Sequence, residues 1–104
     1  MMEQLVFKAL ADPTRRAIFE KLADAPRNAT ELREGFNISQ PAMSQHIAVL
    51  REARLLREHR EGRFTRYEVE PMGLAALAHW LTKYRAYWPS RAADLAALLK
   101  EMDQ

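Results

Sequence analysis

Six arginines at intervals of three residues mark the middle of this sequence. They stand at positions 51, 54, 57, 60, 63 and 66. Arginine presents a planar guanidinium that pairs with phosphate and with the edge of guanine, and its charge is not titrated away. Against these six cations the same window holds three acids, Glu52, Glu58 and Glu61, whereas the whole chain has a net charge of only +2. The basicity is local, and either a polyanionic partner or a solvated run of charge accounts for it.

The sequence lacks the residues and motifs that several other kinds of site require. The chain has 104 residues and no cysteine, which excludes disulfides, thiolate metal sites and thiol nucleophiles. It has no glycine-rich phosphate loop, and no spacing of Ser, His and Asp suggests a catalytic triad. No segment approaches the roughly 18 apolar residues of a membrane span. We therefore predict a single domain over residues 1–104, without enzymatic activity, cofactor or membrane partner, and located in the cytoplasm.

Four helices are predicted ahead of the arginine window. The first has apolar residues at helical spacing and ends at Asp12-Pro13, which suits the start of the second. Asn28 and Glu31 form a predicted capping box for the third, and Ser39 is a good N-cap for the fourth, which runs to about residue 53. The third and fourth helices, about 29–53, are close enough in sequence to form a helix-turn-helix.

The arginine window itself is predicted to be a β-hairpin over about residues 55–69, with Glu61-Gly62 as its two-residue loop. A spacing of three sends successive arginines to alternate faces of a strand. Such a strand cannot be half-buried along its length. We therefore expect a ribbon whose tip projects beyond the core.

A heptad pattern runs through the predicted C-terminal helix, about residues 72–102. Its apolar members are Leu74, Leu77, Leu81, Tyr84, Trp88, Leu95 and Leu98. Pro89 should kink or interrupt the helix, but the pattern keeps its phase on both sides. The helix either packs on its own domain or forms a seam between two subunits. We favour a homodimer seam, because a chain of this length has little surface left to cover Trp80 and the tyrosines beside it.

This order of elements, mainly α with a small β-hairpin, is that of a winged helix-turn-helix protein. The segments LADPTRR at 10–16 and ISQPAMSQHIAVLREA at 38–53 resemble the ArsR/SmtB family of bacterial repressors. The hairpin, or wing, is also similar, and the spacing of Trp80, Tyr84 and Trp88 is similar to a branch that lacks the thiolate metal site. The resemblance implies a homodimeric, nucleoid-associated repressor of double-stranded operator DNA that dimerises through its terminal helices.

The resemblance also implies which residues contact DNA, with the fourth helix in the major groove and the wing on phosphates or the minor groove. These residues are Ser39, Gln40, Met43, Ser44, Gln45, His46, Arg60, Arg63 and Arg66. Glutamine pairs bidentately with adenine, and Met43 is a candidate for a thymine methyl contact. His46 is expected to touch a phosphate or to pack the helix, whereas Arg15 and Arg16 are expected to be structural. For Ser44 and Gln45, plain solvent exposure is the alternative.

Two departures from the family pattern stand out. Arg54 occupies a position that is usually glycine, and a left-handed backbone there would cost about 1 kcal/mol. The metal-ligating residues of metal-sensing members are also missing, since the third helix has no cysteine and the terminal helix has one histidine, His79. We therefore predict no metal site.

Two alternatives to a simple repressor remain. A sensor of the same fold would bind an unknown small-molecule effector in an apolar pocket near Trp80, Tyr84 and Trp88. A winged-helix protein-interaction module would never bind DNA, and the polar side chains of Gln40, Ser44 and Gln45 argue against it.

Overall fold

The computed structural model describes residues 2–87, residue 97 and residues 99–102, and it has a mainly helical fold with one small sheet. In chain order the elements are α1 (Met2–Ala11), α2 (Pro13–Asp24), β1 (Arg27–Asn28), α3 (Ala29–Arg33), α4 (Gln40–Glu52), β2 (Leu56–Glu61), β3 (Phe64–Val69), α5 (Pro71–Thr82) and a 3₁₀ turn (Arg85–Tyr87). The predicted fold class is confirmed. Within the described residues no helix has the length and apolar character needed to cross a membrane.

Side-chain caps set the starts of three helices, as predicted. The carboxylate of Asp12 accepts hydrogen bonds from the backbone N–H groups of Thr14 and Arg15, at 2.7 and 3.1 Å. Asn28 and Glu31 form the reciprocal capping box, at 2.8 and 2.9 Å. The Ser39 hydroxyl accepts from the N–H of Ala42 at 3.2 Å. Each cap satisfies backbone donors that the first helical turn leaves without partners.

The sheet has the strand order β1-β3-β2, with both pairs antiparallel. Its hairpin loop differs from the prediction by one residue. Glu61 pairs with Phe64 at the end of the ladder, so the loop is Gly62-Arg63. Gly62 has φ +59° and stands first in the loop, where a type II′ turn requires glycine. Arg63 therefore lies at the very tip of the wing.

The strand β1 was not predicted. Its two residues pair with the middle of β3, Arg27 with Tyr67 and Asn28 with Arg66. This pairing connects the entrance of α3 to the wing. The helix-turn-helix and the hairpin are thus hydrogen-bonded parts of one unit.

One buried cluster holds the helices together. Its members are Val6, Ala9, Ile18, Leu22, Leu32, Met43, Ile47, Leu50, Ala53, Leu55 and Leu56. From α4 it takes Met43, Ile47 and Leu50, which repeat at intervals of four and three and so form one apolar stripe. Burial of this stripe fixes which side of α4 faces outward.

The end of α4 is a Schellman motif. The N–H of Leu55 donates to the carbonyl of Leu50 and the N–H of Arg54 to that of Arg51, both at 3.0 Å. Arg54 has φ +60°, which is the left-handed backbone conformation. An arginine thus occupies a position that favours glycine.

Helix α5 begins against this turn. The N–H of Gly73 donates to the Arg54 carbonyl at 2.7 Å. A Cβ atom on Gly73 would lie 2.7 Å from that oxygen and 2.8 Å from the Ala53 carbonyl oxygen. Only glycine allows the two backbones to approach this closely.

The predicted C-terminal helix, about residues 72–102, is interrupted in the structure before Pro89, where the sequence predicts a kink or a break. Helix α5 ends at Thr82, and hydrogen bonds of the 3₁₀ type follow, from Lys83 to Trp80 and from Tyr84 to Leu81. These tighter i→i+3 bonds end the α-helical spacing on which the heptad pattern depends. Tyr84 consequently lies beyond the helix, while Trp88, Leu95 and Leu98 fall outside the described residues.

The left-handed residue gives a first prediction. Arg54→Gly removes the Cβ contact that strains this conformation, so we expect the free energy of unfolding to rise by about 1 kcal/mol. Urea denaturation at fixed protein concentration measures it. Arg54→Ala is the matched control, because it removes the charge but keeps the Cβ. An equal gain in both variants would attribute the effect to charge and contradict the backbone explanation.

Candidate nucleic-acid interface

Helix α4 presents a polar outer face. Ser39, Gln40, Ser44 and Gln45 are exposed, and His46 is half-buried. The prediction that Met43 contacts DNA is wrong. Its side chain is 3% exposed and belongs to the apolar stripe that packs on the core, so it cannot reach a thymine methyl.

The half-buried ring of His46 is held by Arg15. The Nη1 of Arg15 lies 3.4 Å from Nδ1 of His46. The same guanidinium donates from Nε to the Ala9 carbonyl at 2.7 Å and from Nη2 to the Lys8 carbonyl at 2.9 Å. One side chain therefore joins α1 and α2 to the proposed DNA-contacting helix.

Arg16 completes the end of α1. Its Nη1 donates to the carbonyls of Leu10 and Ala11, at 2.7 and 3.3 Å. Together the two arginines satisfy the last four carbonyls of the helix, which have no partners within it. The structural role predicted for Arg15 and Arg16 is confirmed.

Asp12 contributes to the same joint. A hydrogen bond from the backbone N–H of Arg15 holds the pKa of the Asp12 carboxyl below its usual 3.8, because it favours the charged form. A lowered pKa means that the folded state prefers the carboxylate. The resulting stabilisation is present at neutral pH and is lost as the pH falls below 3.8.

A cleft of about 440 Å³ opens beside α4, between α3 and β3. Phe36, Ile47 and Tyr67 contribute apolar surface, and Gln40 and Ser44 contribute polar groups. Burial raises the pKa of the Tyr67 hydroxyl. No pattern in the sequence indicates this cleft, because its walls come from three separate elements.

The six arginines divide into two classes. Three of them form ion pairs, Arg51 with Glu58 at 2.7 Å, Arg57 with Glu68 at 2.8 Å and Arg66 with Glu61 at 2.6 Å. The hydrogen bond from Arg66 to Glu61 also raises the pKa of Arg66. Arg54, Arg60 and Arg63 have no acidic partner among the residues that the structure describes. The uncompensated positive charge of the wing is thus concentrated at Arg60 and Arg63, near its tip.

Exposed apolar side chains also lie on α1, on α5 and just after α5. Leu5, Phe7, Leu74 and Tyr84 are between 36% and 42% exposed. Trp80 packs between aromatic neighbours, with its ring centroid 4.9 Å from those of Phe7 and Tyr84. The sequence suggests an effector pocket near Trp80 and Tyr84. In the structure these two rings pack against each other there.

The predicted interface residues Leu74, Leu77 and Leu81 lie on one stripe of α5 but differ in exposure. Leu77 is half-buried and packs against the chain's own core, and Leu81 is half-buried as well. Leu74 and Tyr84 leave substantial apolar surface open. Helix α5 thus packs on its own domain at Leu77, and the neighbouring Leu74 stays exposed.

Comparisons with known proteins agree with this architecture. A helix-turn-helix domain family matches residues 10–59. The chain is 37% identical over 79 residues to the transcriptional repressor SdpR of Bacillus subtilis, a match that covers 76% of this chain and 88% of that protein. It is 41% identical over 93 residues to the HTH-type transcriptional regulator Rv2034 of Mycobacterium tuberculosis, covering 89% and 84%.

Solved structures give the same result for the fold. The crystal structure of an ArsR family transcriptional regulator matches with a TM-score of 0.76 at 33% identity, covering 88% of this chain and 94% of that one. An ArsR-like transcriptional regulator from Rhodococcus sp. RHA1 matches with a TM-score of 0.73 at 29% identity, covering 95% and 91%. With its helix-turn-helix, basic wing and these relatives, the chain belongs to the ArsR/SmtB family of winged helix-turn-helix, DNA-binding transcriptional regulators.

Proposed function

We propose that two copies of this chain form a repressor that binds a palindromic DNA operator. The observation that carries the proposal is the polar outer face of α4, which is held outward by the burial of Met43, Ile47 and Leu50. A helix with such a face fits the major groove, where base edges present donors and acceptors. Two α4 helices related by a two-fold axis would read two half-sites about one DNA turn apart.

Within this interface, Gln45 is the proposed reader of base sequence. Its amide can pair with adenine, and Gln40 and Ser44 lie on the same exposed surface. Ser39 is engaged as the N-cap, so its role is to orient the first turn of α4 toward the phosphates. Arg15 restrains the His46 ring, which favours a phosphate contact over base recognition.

The wing supplies most of the electrostatic attraction. Arg60 and Arg63 are exposed, and neither forms an ion pair with an acidic side chain within residues 2–87. Arg66 must exchange its hydrogen bond with Glu61 for one to DNA. Surface ion pairs of this kind contribute about 0–1 kcal/mol, so a phosphate can compete for the guanidinium.

The apolar surface of α1 and α5 is the proposed dimer interface. Leu74 and Tyr84 contribute to it from the C-terminal segment, and Leu5 and Phe7 add surface from α1. A two-fold interface is self-complementary, so each exposed apolar side chain would be covered by the same patch of the partner. Dimerisation would then fix the separation of the two α4 helices.

An effector-responsive sensor is the second candidate, with its ligand site in the cleft beside α4 rather than at the predicted position near Trp80, Tyr84 and Trp88. Its lining includes Gln40 and Ser44, both proposed to contact DNA. A small molecule there would occupy the surface that the operator needs. The effector would therefore compete with DNA rather than act through a distant site.

Selection of bound duplexes from a random pool, at low and at physiological salt, tests the proposal as a whole. We expect a palindrome with half-site centres about one helical turn apart. Gln45→Ala should relax base preference at one position in each half-site, since it removes a base contact but no charge. Recovery of no motif at either salt concentration would instead favour a protein-interaction module.

The wing gives a second test, by titration of an operator duplex over a range of salt concentrations. Arg63→Ala should weaken binding to all sequences and reduce the salt slope by about 0.9 for each phosphate that the wing no longer neutralises. Arg57→Ala is the matched control, because it removes the same charge from a residue already paired with Glu68. Equal effects of the two variants would contradict a direct role for the tip.

The dimer surface gives a third test, by sedimentation at several protein concentrations. Leu74→Glu should raise the dimer dissociation constant at least ~100-fold, because it replaces buried apolar area by a desolvated charge on both subunits. Ala75→Glu places the same charge about 100° around α5, at an exposed position, and should leave the dimer intact. Dissociation in both variants, or in neither, would exclude this face as the interface.

A further inference from the structure

One aromatic side chain stands out on the wing. Phe64 is the first residue of β3, directly after the loop Gly62-Arg63, and its side chain is 60% exposed. It is the only exposed large apolar residue on β2 and β3. The buried end of the hairpin, at Leu56 and Val69, lies at the opposite end of the strands. Packing within the chain therefore gives no reason for a phenylalanine at this position.

The surroundings of the ring are charged. Phe64 pairs with Glu61 across the ladder, and Arg66 follows two residues later on the same face of the strand. Arg63 precedes it at the tip. Because the ion pair with Glu61 offsets Arg66, the uncompensated cation next to the ring is Arg63. The tip thus combines an apolar ring with an adjacent cation.

A single ring suits a narrow groove better than a protein surface. Protein interfaces need contiguous patches that bury about 800 Å² per partner, far more than one phenyl group supplies. The DNA minor groove is about 6 Å wide, its walls are deoxyribose sugars, and carbon atoms pack against such walls at about 3.5–4 Å. Some proteins that bind this groove insert phenylalanine or another apolar side chain between base steps, so the groove admits a phenyl ring.

We propose that Phe64 packs its ring against the sugar walls of the operator's minor groove while Arg63 neutralises the phosphates beside it. This inference rests on the proposed DNA-binding function and assigns a specific contact to it. The ring adds affinity through apolar burial, which is independent of counterion release. The arginine adds affinity through charge, which depends on salt. The contributions of the two neighbouring residues can therefore be separated, because only that of Arg63 changes the salt dependence of binding.

The test compares Phe64→Ala, Phe64→Leu and Arg63→Ala with the parent protein, by titration of the selected operator duplex at several salt concentrations. Phe64→Ala should weaken binding about tenfold and leave the salt slope unchanged, since the variant removes apolar area without removing charge. Phe64→Leu should recover most of the affinity. Urea denaturation of Phe64→Ala should show the parent's midpoint, because the ring is largely exposed.

The other outcomes are distinct. Parental affinity of Phe64→Ala, with Arg63→Ala weakened, would overturn the ring contact and leave the DNA-binding function standing. Parental affinity of both variants would reject the tip of the wing as a DNA contact and overturn the proposal. A lowered denaturation midpoint in Phe64→Ala, with Phe64→Leu equally weak in binding, would make the residue structural and overturn the proposal. Loss of repression in cells without loss of DNA affinity would assign the ring to a protein partner and overturn it as well.

Discussion

The guanidinium of Arg15 is the contact on which the arrangement of the helices depends. Its side chain is 17% exposed, and it donates to two carbonyls of α1 while lying against His46 of α4. The Ala9 carbonyl is in the partly buried part of this joint, and leaving it without a donor would cost about 1–3 kcal/mol. The segment LADPTRR therefore combines three tasks in seven residues. It ends α1, caps α2 through Asp12, and places two guanidinium groups over the carbonyls just left behind.

The C-terminal end of α4 is held by a contact between backbone groups. There the backbone N–H of Gly73 meets the Arg54 carbonyl, and no side chain intervenes. Helix α4 is thus attached to α1 through Arg15 at its middle and to α5 through Gly73 at its end. Both attached helices carry the exposed apolar surface proposed for dimerisation. A rigid connection of this kind transmits the geometry of a dimer directly to the spacing of two α4 helices.

The sequence predicted features that depend on local chemistry and missed those that depend on partners far along the chain. The helix caps follow from side-chain and backbone interactions within a few residues, whereas the left-handed conformation of Arg54 is only a conditional expectation from the family resemblance. Strand β1 has two residues, too few for any periodicity, and it exists only through its pairing with β3.

The prediction for Met43 is wrong because its position near the N-terminal end of α4 suggests a base contact, whereas the stripe it shares with Ile47 and Leu50 points inward. Glu68, the partner of Arg57, lies outside the window of residues 51–66. The sequence of that window therefore underestimates how many of its arginines form ion pairs.

This pairing changes what the arginine cluster can do. If all six arginines were free, each subunit would attract any DNA strongly, and non-specific sites would compete with the operator. Ion pairs engage Arg51, Arg57 and Arg66, and the unpaired charge on the wing is reduced to Arg60 and Arg63 among the residues that the structure describes. Until an ion pair such as that of Arg66 is exchanged for a phosphate, the attraction to DNA is expected to come mainly from the tip of the wing. Discrimination between sequences must then come from the polar face of α4, because contacts to phosphates and sugars carry no sequence information directly. A chain with a net charge of +2 can therefore be selective because half of the arginines in its basic window are occupied within the protein.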